Sequence, residues 1–268
     1  MRAARKACRG LGQAGKGTAP MTENALVSAL EEAVRQAREL DAPLNDRLAI
    51  IANRVRAIST VFAEAVDRMV ARLKQTDAGA AAPRVGDAMP AFALPDEAGR
   101  IVTLRSVLEH GPAAISFNRG HWCAYCRLNV LAMAEVHAQI EAAGGKVVAI
   151  VPERQKFAAS LRTEAQAPFP VLTDMDNGYA LSLNLAIWVG AEMEKLIASA
   201  GWDVPHYQGN NAWLLPIPAT FVVGTDGLIV ARYIDPDYRQ RMDIDALISS
   251  LRLAGSAQNR SSPPRAVD

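Results

Sequence analysis

The sequence has little cysteine, almost no net charge and no long apolar stretch. Its 268 residues include three cysteines, and 29 lysines and arginines nearly balance 28 acidic residues. So few cysteines exclude a secreted scaffold stapled by disulfides. A net charge of +1 gives no general attraction to nucleic acid or to an anionic membrane. Since no run of about 18 apolar residues occurs, we expect no membrane span and a soluble, cytoplasmic protein.

The two ends of the chain differ in composition from the rest. Residues 1–20 carry five basic residues and no acidic one, without the apolar run of a signal peptide. Their Gly, Ala and basic content predicts a disordered extension, with a transit peptide as the alternative and Met21 as a possible true start. Residues 254–268, rich in Ser, Pro and Arg, are predicted to be a disordered tail.

Residues 21–74 show the apolar spacing of helices. Thr22 is a candidate cap for a first helix. A longer pattern follows from Leu44 to Leu73, with steps of four and three residues, and predicts one helix of roughly eight turns. The apolar face of such a helix must pack against another surface. We therefore predict an N-terminal helical hairpin that packs on the main domain, and a contact between two subunits of a homodimer is the alternative.

The periodicity changes after a linker rich in Asp, Gly, Ala and Pro. Short apolar runs at 113–118 and 146–151 predict buried strands, and helical patterns separate them. A hairpin pattern at 219–234 and a final helix complete the segment. This alternation predicts an α/β domain over residues 82–253, with a central sheet and helices on both faces.

Cys123 and Cys126 stand where a predicted strand gives way to a predicted helix. In the first turn of a helix, free backbone N–H groups and the helix dipole favour a thiolate, so we expect a lowered pKa for Cys123 and assign it as the attacking sulfur. Cys126, one turn later, lies within disulfide range. Arg119 and His121 add positive or polarisable character, and Trp122 is expected to shield one side of the sulfur.

This C-x-x-C has two other possible interpretations. A zinc site would need further ligands, but the third cysteine is the distant Cys8 and the four histidines form no paired spacing. Two inert, buried cysteines are the other alternative. The position at a strand–helix junction favours redox chemistry, and no metal is predicted.

The residues before and around this pair resemble those of a known family. RVGDAMPAFALPDEAGRIVTL (84–104) resembles the opening of the peroxiredoxin domain. FNRGHWCAYC (117–126) resembles the centre of a peroxiredoxin-like branch of the alkyl hydroperoxide reductase and thiol-specific antioxidant family. Further similar segments are FPVLTD, PIPATFVVGTDG and YIDPDYRQR. The likeness covers roughly residues 82–253, and the helical segment before it also looks like that branch.

The resemblance implies a thioredoxin-like fold and a thiol-dependent peroxidase. In the family pattern Cys123 is the peroxide-attacking residue, and Cys126 is expected to resolve its sulfenic acid as a disulfide. The implied substrates are hydrogen peroxide or organic hydroperoxides, and the implied reductant is thioredoxin or another dithiol. No metal, flavin or other cofactor is implied.

The sequence departs from the family at three places. Typical members have Pro and Thr where this chain has Ser116 and Gly120, and those residues help to hold the peroxide. Their distant arginine falls near Pro218 here, and Arg119 is a candidate substitute. In thioredoxin-like proteins a proline at the position of Pro218 faces the cysteine pair, commonly as a cis peptide. We therefore expect cis Pro218 beside the substrate groove.

These departures keep other functions open. One is a thioredoxin-like protein thiol–disulfide oxidoreductase, favoured by the short loop before Cys123 and the absent Thr. Another is a non-catalytic redox-sensing module. The aromatic-rich stretch 202–213 is expected either to roof the redox centre or to be held down by its own aromatic side chains. The charged segment 235–241 is interpreted as a solvated turn without chemistry.

Overall fold

The computed structural model describes residues 23–261, with side chains from residue 26 to residue 256. The predicted extension at residues 1–20, the Thr22 cap and Cys8 lie outside these residues. None of the helices within the described part of the chain is long and apolar enough to cross a membrane.

Three helices, not two, form the N-terminal segment: α1 (Glu23–Glu39), α2 (Leu44–Ile58) and α3 (Thr60–Gln75). The predicted single helix from Leu44 to Leu73 is therefore wrong. Ser59 breaks it, because its backbone is extended (φ −141°) and its hydroxyl accepts a hydrogen bond from the N–H of Phe62. A serine in this conformation caps a new helix. The apolar spacing continues across the break because α2 and α3 bury residues in the same core.

Strands and helices alternate through the rest of the chain. In chain order the elements are β1 (Ala93–Pro95), β2 (Ile101–Thr103), α4 (Leu104–Leu108), β3 (Ala113–Phe117), α5 (Ala124–Glu135), α6 (His137–Ala142), β4 (Lys146–Val151), α7 (Gln155–Glu164), β5 (Val171–Thr173), a 3₁₀ turn (Met175–Asn177), α8 (Gly178–Ser182), β6 (Ala186–Trp188), α9 (Ala191–Ser199), α10 (Val204–Gln208), β7 (Leu214–Pro216), β8 (Ala219–Val223), β9 (Ile229–Ile234) and α11 (Ile244–Ser261). The last helix extends into the segment for which we expected a disordered tail.

A five-stranded mixed sheet lies at the centre, in the order β5-β4-β3-β8-β9. The strands β3, β4 and β5 are parallel, whereas β8 is antiparallel to both β3 and β9. Phe117, the last residue of β3, pairs with Ile150 on one side and Ala219 on the other. The C-terminal ends of β3 and β4 therefore lie side by side at one edge of the sheet, where ligands bind in parallel sheets.

Each face of the sheet contributes to a separate apolar core. In β4, Val147, Ala149 and Val151 belong to one core, and Val148 and Ile150 to the other. The first core also contains residues of the N-terminal helices and of α5, α7, α9 and α11, while α4 and α8 contribute to the second. This two-sided burial explains why β3 and β4 are continuous apolar runs in the sequence.

Candidate redox site

The two cysteines lie at the start of α5, directly after β3 and the loop of residues 118–122, here called the redox loop. Cys123 is the N-cap of α5, and the backbone N–H groups of Cys126 and Arg127 both donate to its carbonyl oxygen. Both thiols are free and buried, with exposed fractions of 4% for Cys123 and 0% for Cys126. The pair thus stands at the C-terminal edge of the parallel strands.

A buried polar network fixes the beginning of the redox loop. The side-chain amide of Asn118 donates to the carbonyl and hydroxyl oxygens of Ser116, at 3.0 and 3.1 Å. Asn129 of α5 donates to the side-chain oxygens of both residues. All three residues are almost fully buried. Ser116, which stands where typical family members have Pro, therefore links β3 to α5 through hydrogen bonds.

A buried carboxylate holds the other end of the redox loop. Glu153, which follows β4 and is fully buried, accepts from the backbone N–H of His121 at 2.7 Å and contacts its ring Nδ1 at 2.8 Å. A Cβ atom placed on Gly120 would lie 2.4 Å from the Glu153 carboxyl carbon, and Gly120 has φ +134°. The threonine of typical family members therefore does not fit at this position.

Cys126 is surrounded by donors. The backbone N–H of Arg119 donates to its Sγ at 3.2 Å, and Nη2 of the buried Arg241 lies 3.4 Å from the same sulfur. Arg241 belongs to the segment 235–241, for which we expected a solvated turn without chemistry. That expectation is wrong, because the loop after β9 turns inward and places this guanidinium against the cysteine.

Helix α2 holds the Arg241 loop in place. The side chain of Asn45 accepts from the backbone N–H of Arg241 and donates to its carbonyl oxygen, each at 3.0 Å. Both polar groups of the Arg241 backbone are thereby satisfied by one side chain. The N-terminal helices thus contribute directly to the surroundings of Cys126.

The electrostatics of the pair favour a thiolate on Cys126, not on Cys123. Burial alone raises the pKa of Cys126, but the neighbouring Cys123 thiol and the Arg241 guanidinium outweigh burial and lower that pKa to about 5. Burial and the adjacent Cys126 raise the pKa of Cys123. Our expectation of a lowered pKa for Cys123 relied on the helix terminus. The helix terminus contributes about 0.3–1 kcal/mol. A nearby opposite charge moves a pKa by roughly 1–3 units, or about 1.4–4 kcal/mol, and is therefore the larger effect.

A small cavity of about 30 Å³ adjoins Cys123. Arg119 and Trp122 line it from the redox loop, together with Tyr238; the Arg119 guanidinium lies 3.9 Å from the centre of the Tyr238 ring. Six apolar residues of the helices and of the chain after α9 cover it. We call them the roof: Leu30, Val55, Phe62, Met193, Ile197 and Trp202.

The structure brings some of the predicted site residues together and separates others. Arg119 and Trp122, both expected beside the Cys123 sulfur, line the same cavity as Cys123. His121 instead pairs with Glu153 and stacks on Phe157 at 4.9 Å. Pro218 lines a neighbouring cavity that also contacts Arg119. Its peptide bond is trans, so the expected cis form is wrong; trans is the usual state of X–Pro bonds.

Three functional candidates were missed in the sequence: Glu153, Tyr238 and Arg241. Glu153 had a signal, because it directly follows the predicted strand 146–151, and two strands joined by a helix are usually parallel, so that their C-terminal ends meet. Tyr238 and Arg241 lie in a charged segment whose composition is that of an exposed turn. Within residues 23–261, no group of three or more His, Cys, Asp or Glu side chains is placed to hold a metal ion.

Several solved structures resemble this chain. Peroxidoxin BcpB from Mycobacterium tuberculosis has 18% identity and a TM-score of 0.50, covering 63% of this chain and 97% of its own. Peroxiredoxin Q from Xanthomonas campestris has 15% identity and a TM-score of 0.45, with coverages of 62% and 90%. A protein described as the thiol:disulfide interchange protein DsbE, from Chlorobium tepidum, has 21% identity and a TM-score of 0.40, with coverages of 64% and 97%.

The sequence itself provides the family. No curated protein matches the chain with significance. The sequence profile of the AhpC/TSA family, however, matches residues 85–232, which is more than half of the chain and includes β3, the redox loop and both cysteines. With the thioredoxin-like fold shared with the peroxidoxin, this match identifies the protein as a member of the AhpC/TSA family.

Proposed function

We propose that this protein is a thiol peroxidase in which Cys123 attacks the peroxide and Cys126 resolves the product. Membership of the AhpC/TSA family indicates redox chemistry of the peroxiredoxin or thioredoxin-like type. The observation that carries the finer proposal is that each sulfur has an arginine close to it. Arg119 lines the cavity beside Cys123, and the Arg241 guanidinium contacts Cys126.

The first step begins with a proton transfer inside the pair. In the resting state Cys126 is the thiolate and Cys123 the thiol. When the peroxide binds beside Cys123, the Cys123 proton passes to Cys126, a transfer that the positive charge of Arg119 favours, and the Cys123 sulfur attacks the peroxide oxygen that carries hydrogen. The O–O bond breaks, Cys123 becomes a sulfenic acid, and the leaving oxygen takes the proton back from Cys126 as water or alcohol.

The second step forms the disulfide. The Cys126 thiolate attacks the Cys123 sulfenic sulfur and expels hydroxide, which is protonated to water. Two electrons have then left the cysteine pair and reduced one peroxide. An external dithiol, thioredoxin or a similar one, regenerates the two thiols by disulfide exchange.

Arg119 is the proposed substitute for the distant arginine of typical family members. Arg119 is 4% exposed, and its guanidinium carbon lies 5.1 Å from the centre of the Trp122 ring and 3.9 Å from that of Tyr238. A guanidinium stays charged in a protein interior. Placed at the cavity, it stabilises the negative charge that develops on the leaving oxygen.

The test is the rate at which peroxide oxidises the reduced protein, followed by stopped-flow tryptophan fluorescence. We expect fast oxidation that consumes one peroxide per chain and ends in a Cys123–Cys126 disulfide. Cys123→Ser abolishes it, whereas Cys126→Ser stops at a sulfenic acid that a dimedone-type reagent traps. Cys8→Ser serves as the matched control and leaves the rate unchanged. Oxidation no faster than that of a free thiol contradicts the proposal.

A thiol–disulfide oxidoreductase is the second candidate, favoured by Gly120. This residue leaves the redox loop without the threonine hydroxyl that helps to hold peroxide in typical family members. If the protein reduces the insulin disulfide and ignores peroxide, this second activity is the better description. If it oxidises once and turns over with neither substrate, it is a redox sensor.

A further inference from the structure

The proposed nucleophile is enclosed by parts of the chain outside its own loop. Cys123 is only 4% exposed, and the cavity beside it is covered by the roof. Helices α1, α2 and α3 supply three roof residues, while α9 and the residues after it supply the other three. Most of the roof is therefore contributed by helices that come before or between the sheet strands.

Aromatic contacts close the roof over the redox loop. The ring of Phe62 in α3 meets Trp202 edge to face, with centres 6.1 Å apart, and Trp202 lies 5.9 Å from Trp122. A continuous chain of three aromatic rings thus runs from α3 to the residue beside Cys123. Such contacts add to the burial of apolar area and favour the closed arrangement.

Ion pairs at the margin hold the same helices down. On α1, Glu31 pairs with Arg127 of α5 at 2.7 Å. On α2, Arg47 donates two hydrogen bonds to Glu135 at the end of α5. Together with the Asn45–Arg241 hydrogen bonds, these contacts join α1 and α2 to the part of the chain that carries the redox site.

The space left at the sulfur is small. A cavity of about 30 Å³ holds one or two water molecules, and hydrogen peroxide is of that size. A phenyl or long alkyl group does not fit there. A bulky reactant can reach Cys123 only when the roof has moved, and if the roof is closed ~90% of the time such a reactant is slowed about tenfold.

We propose that the roof restricts Cys123 to reactants of the size of hydrogen peroxide, and that Phe62 and Trp202 set this limit. As a statement about peroxide substrates, it rests on the proposed peroxidase function. As a statement about access to the thiol, it can be measured with any thiol reagent.

The experiment compares a small and a bulky alkylating reagent on the reduced full-length protein. Iodoacetamide and N-(1-pyrenyl)maleimide are each reacted with the protein and with glutathione, and fragment-ion mass spectrometry of the peptide that contains both cysteines measures the modification of Cys123 separately from that of Cys126. Relative to glutathione, we expect the bulky reagent to be disfavoured by about tenfold or more. Phe62→Ala and Trp202→Ala should remove most of this discrimination.

Val61→Ala is the matched control, because Val61 is the neighbour of Phe62 on α3 and is 62% exposed. It should keep the wild-type ratio. Phe62→Leu, which retains more of the packing, gives an intermediate ratio, and circular dichroism establishes that each variant is folded. A wild-type ratio equal to that of glutathione, or a ratio unchanged in the folded Phe62 variants, overturns the proposal.

The same variants separate this proposal from the proposed function. In parallel, the rates with hydrogen peroxide and with cumene hydroperoxide are measured. Slow reaction with both, together with preserved discrimination between the alkylating reagents, rejects the peroxidase and keeps the roof. Fast reaction with both, together with no discrimination, rejects the roof and keeps the peroxidase.

Discussion

The two sides of the redox loop are built in opposite ways. On one side, hydrogen bonds from buried polar residues fix its position: Ser116, Asn118 and Asn129 at its start, and Glu153 at His121. On the other side, the roof is apolar and touches the site through carbon surfaces. Hydrogen bonds impose direction and distance, whereas apolar packing excludes water and solutes. The difference teaches that geometry and access are determined by separate residues and can be altered separately.

Gly120→Ala should have the largest effect, because it damages the polar side directly. The added methyl group would meet the buried Glu153 carboxyl at 2.4 Å, on a backbone with φ +134°. Strain and overpacking together predict a loss of about 3 kcal/mol or more in the free energy of unfolding, measured by urea denaturation.

Gly144→Ala is the control for this loss. Gly144 also has a positive φ, but an added methyl group there meets nothing within 4 Å. It measures the cost of a left-handed backbone without a close contact, about 1–2 kcal/mol. Equal losses in the two variants would show that Glu153 does not confine Gly120.

The stability of the reduced protein should depend on pH through Cys126. Its pKa is lowered to about 5 in the folded protein, against about 8.5 in an unfolded chain. The stabilisation is therefore complete above pH 8.5 and is lost as the pH falls towards 5, by up to about 1.4 kcal/mol per pH unit. Urea denaturation under reducing conditions at several pH values measures it. Cys126→Ser should flatten the dependence, and an equally steep slope in that variant refutes the assignment of the thiolate.

Arg241→Gln tests the cation that contacts Cys126. Without the guanidinium, the pH at which the thiolate absorbance at 240 nm disappears should rise by about one to two pH units. Arg239→Gln is the matched control, since Arg239 lies in the same loop but pairs with Asp67 and Asp237. If both variants titrate alike, the Cys126–Arg241 contact is not what holds the thiolate.

Asn45→Ala should have the smallest effect. It removes the two hydrogen bonds that join α2 to the backbone of Arg241, at an expected cost of about 1–2 kcal/mol in the free energy of unfolding. The thiolate titration should move in the same direction as in Arg241→Gln, but by less. If the variant loses stability but titrates as the wild type does, the α2 contact stabilises the fold without influencing the pKa of Cys126.

The strands and the redox loop could be predicted from the sequence, whereas the surroundings of the cysteines could not. The run at 146–151 and the junction before Cys123 are local patterns, and the structure has β4 and the start of α5 there. The break at Ser59 was hidden, because the apolar spacing continues through it. Burial of Arg241 depends on contacts with Asn45 and Cys126, far away in sequence, and the composition of a charged loop carries no trace of them.

The roof, too, could be predicted only in part from local sequence patterns. The seam of α2 and α3 predicted that something must cover it, and the aromatic-rich stretch was one candidate cover for the redox centre. Which surfaces would meet was beyond local periodicity, because Phe62 and Trp202 come together only when α3 packs on α9.

The contact between Asn45 and Arg241 has a consequence for how the protein is made. The two residues are separated by 196 positions. A ribosome adding about 5–20 residues per second takes roughly 10–40 s to cover that distance. During this time the N-terminal helices have left the tunnel, while the loop that completes the site does not yet exist. These helices can already pack on one another and on α5, but the cation beside Cys126 arrives only when most of the chain has been made.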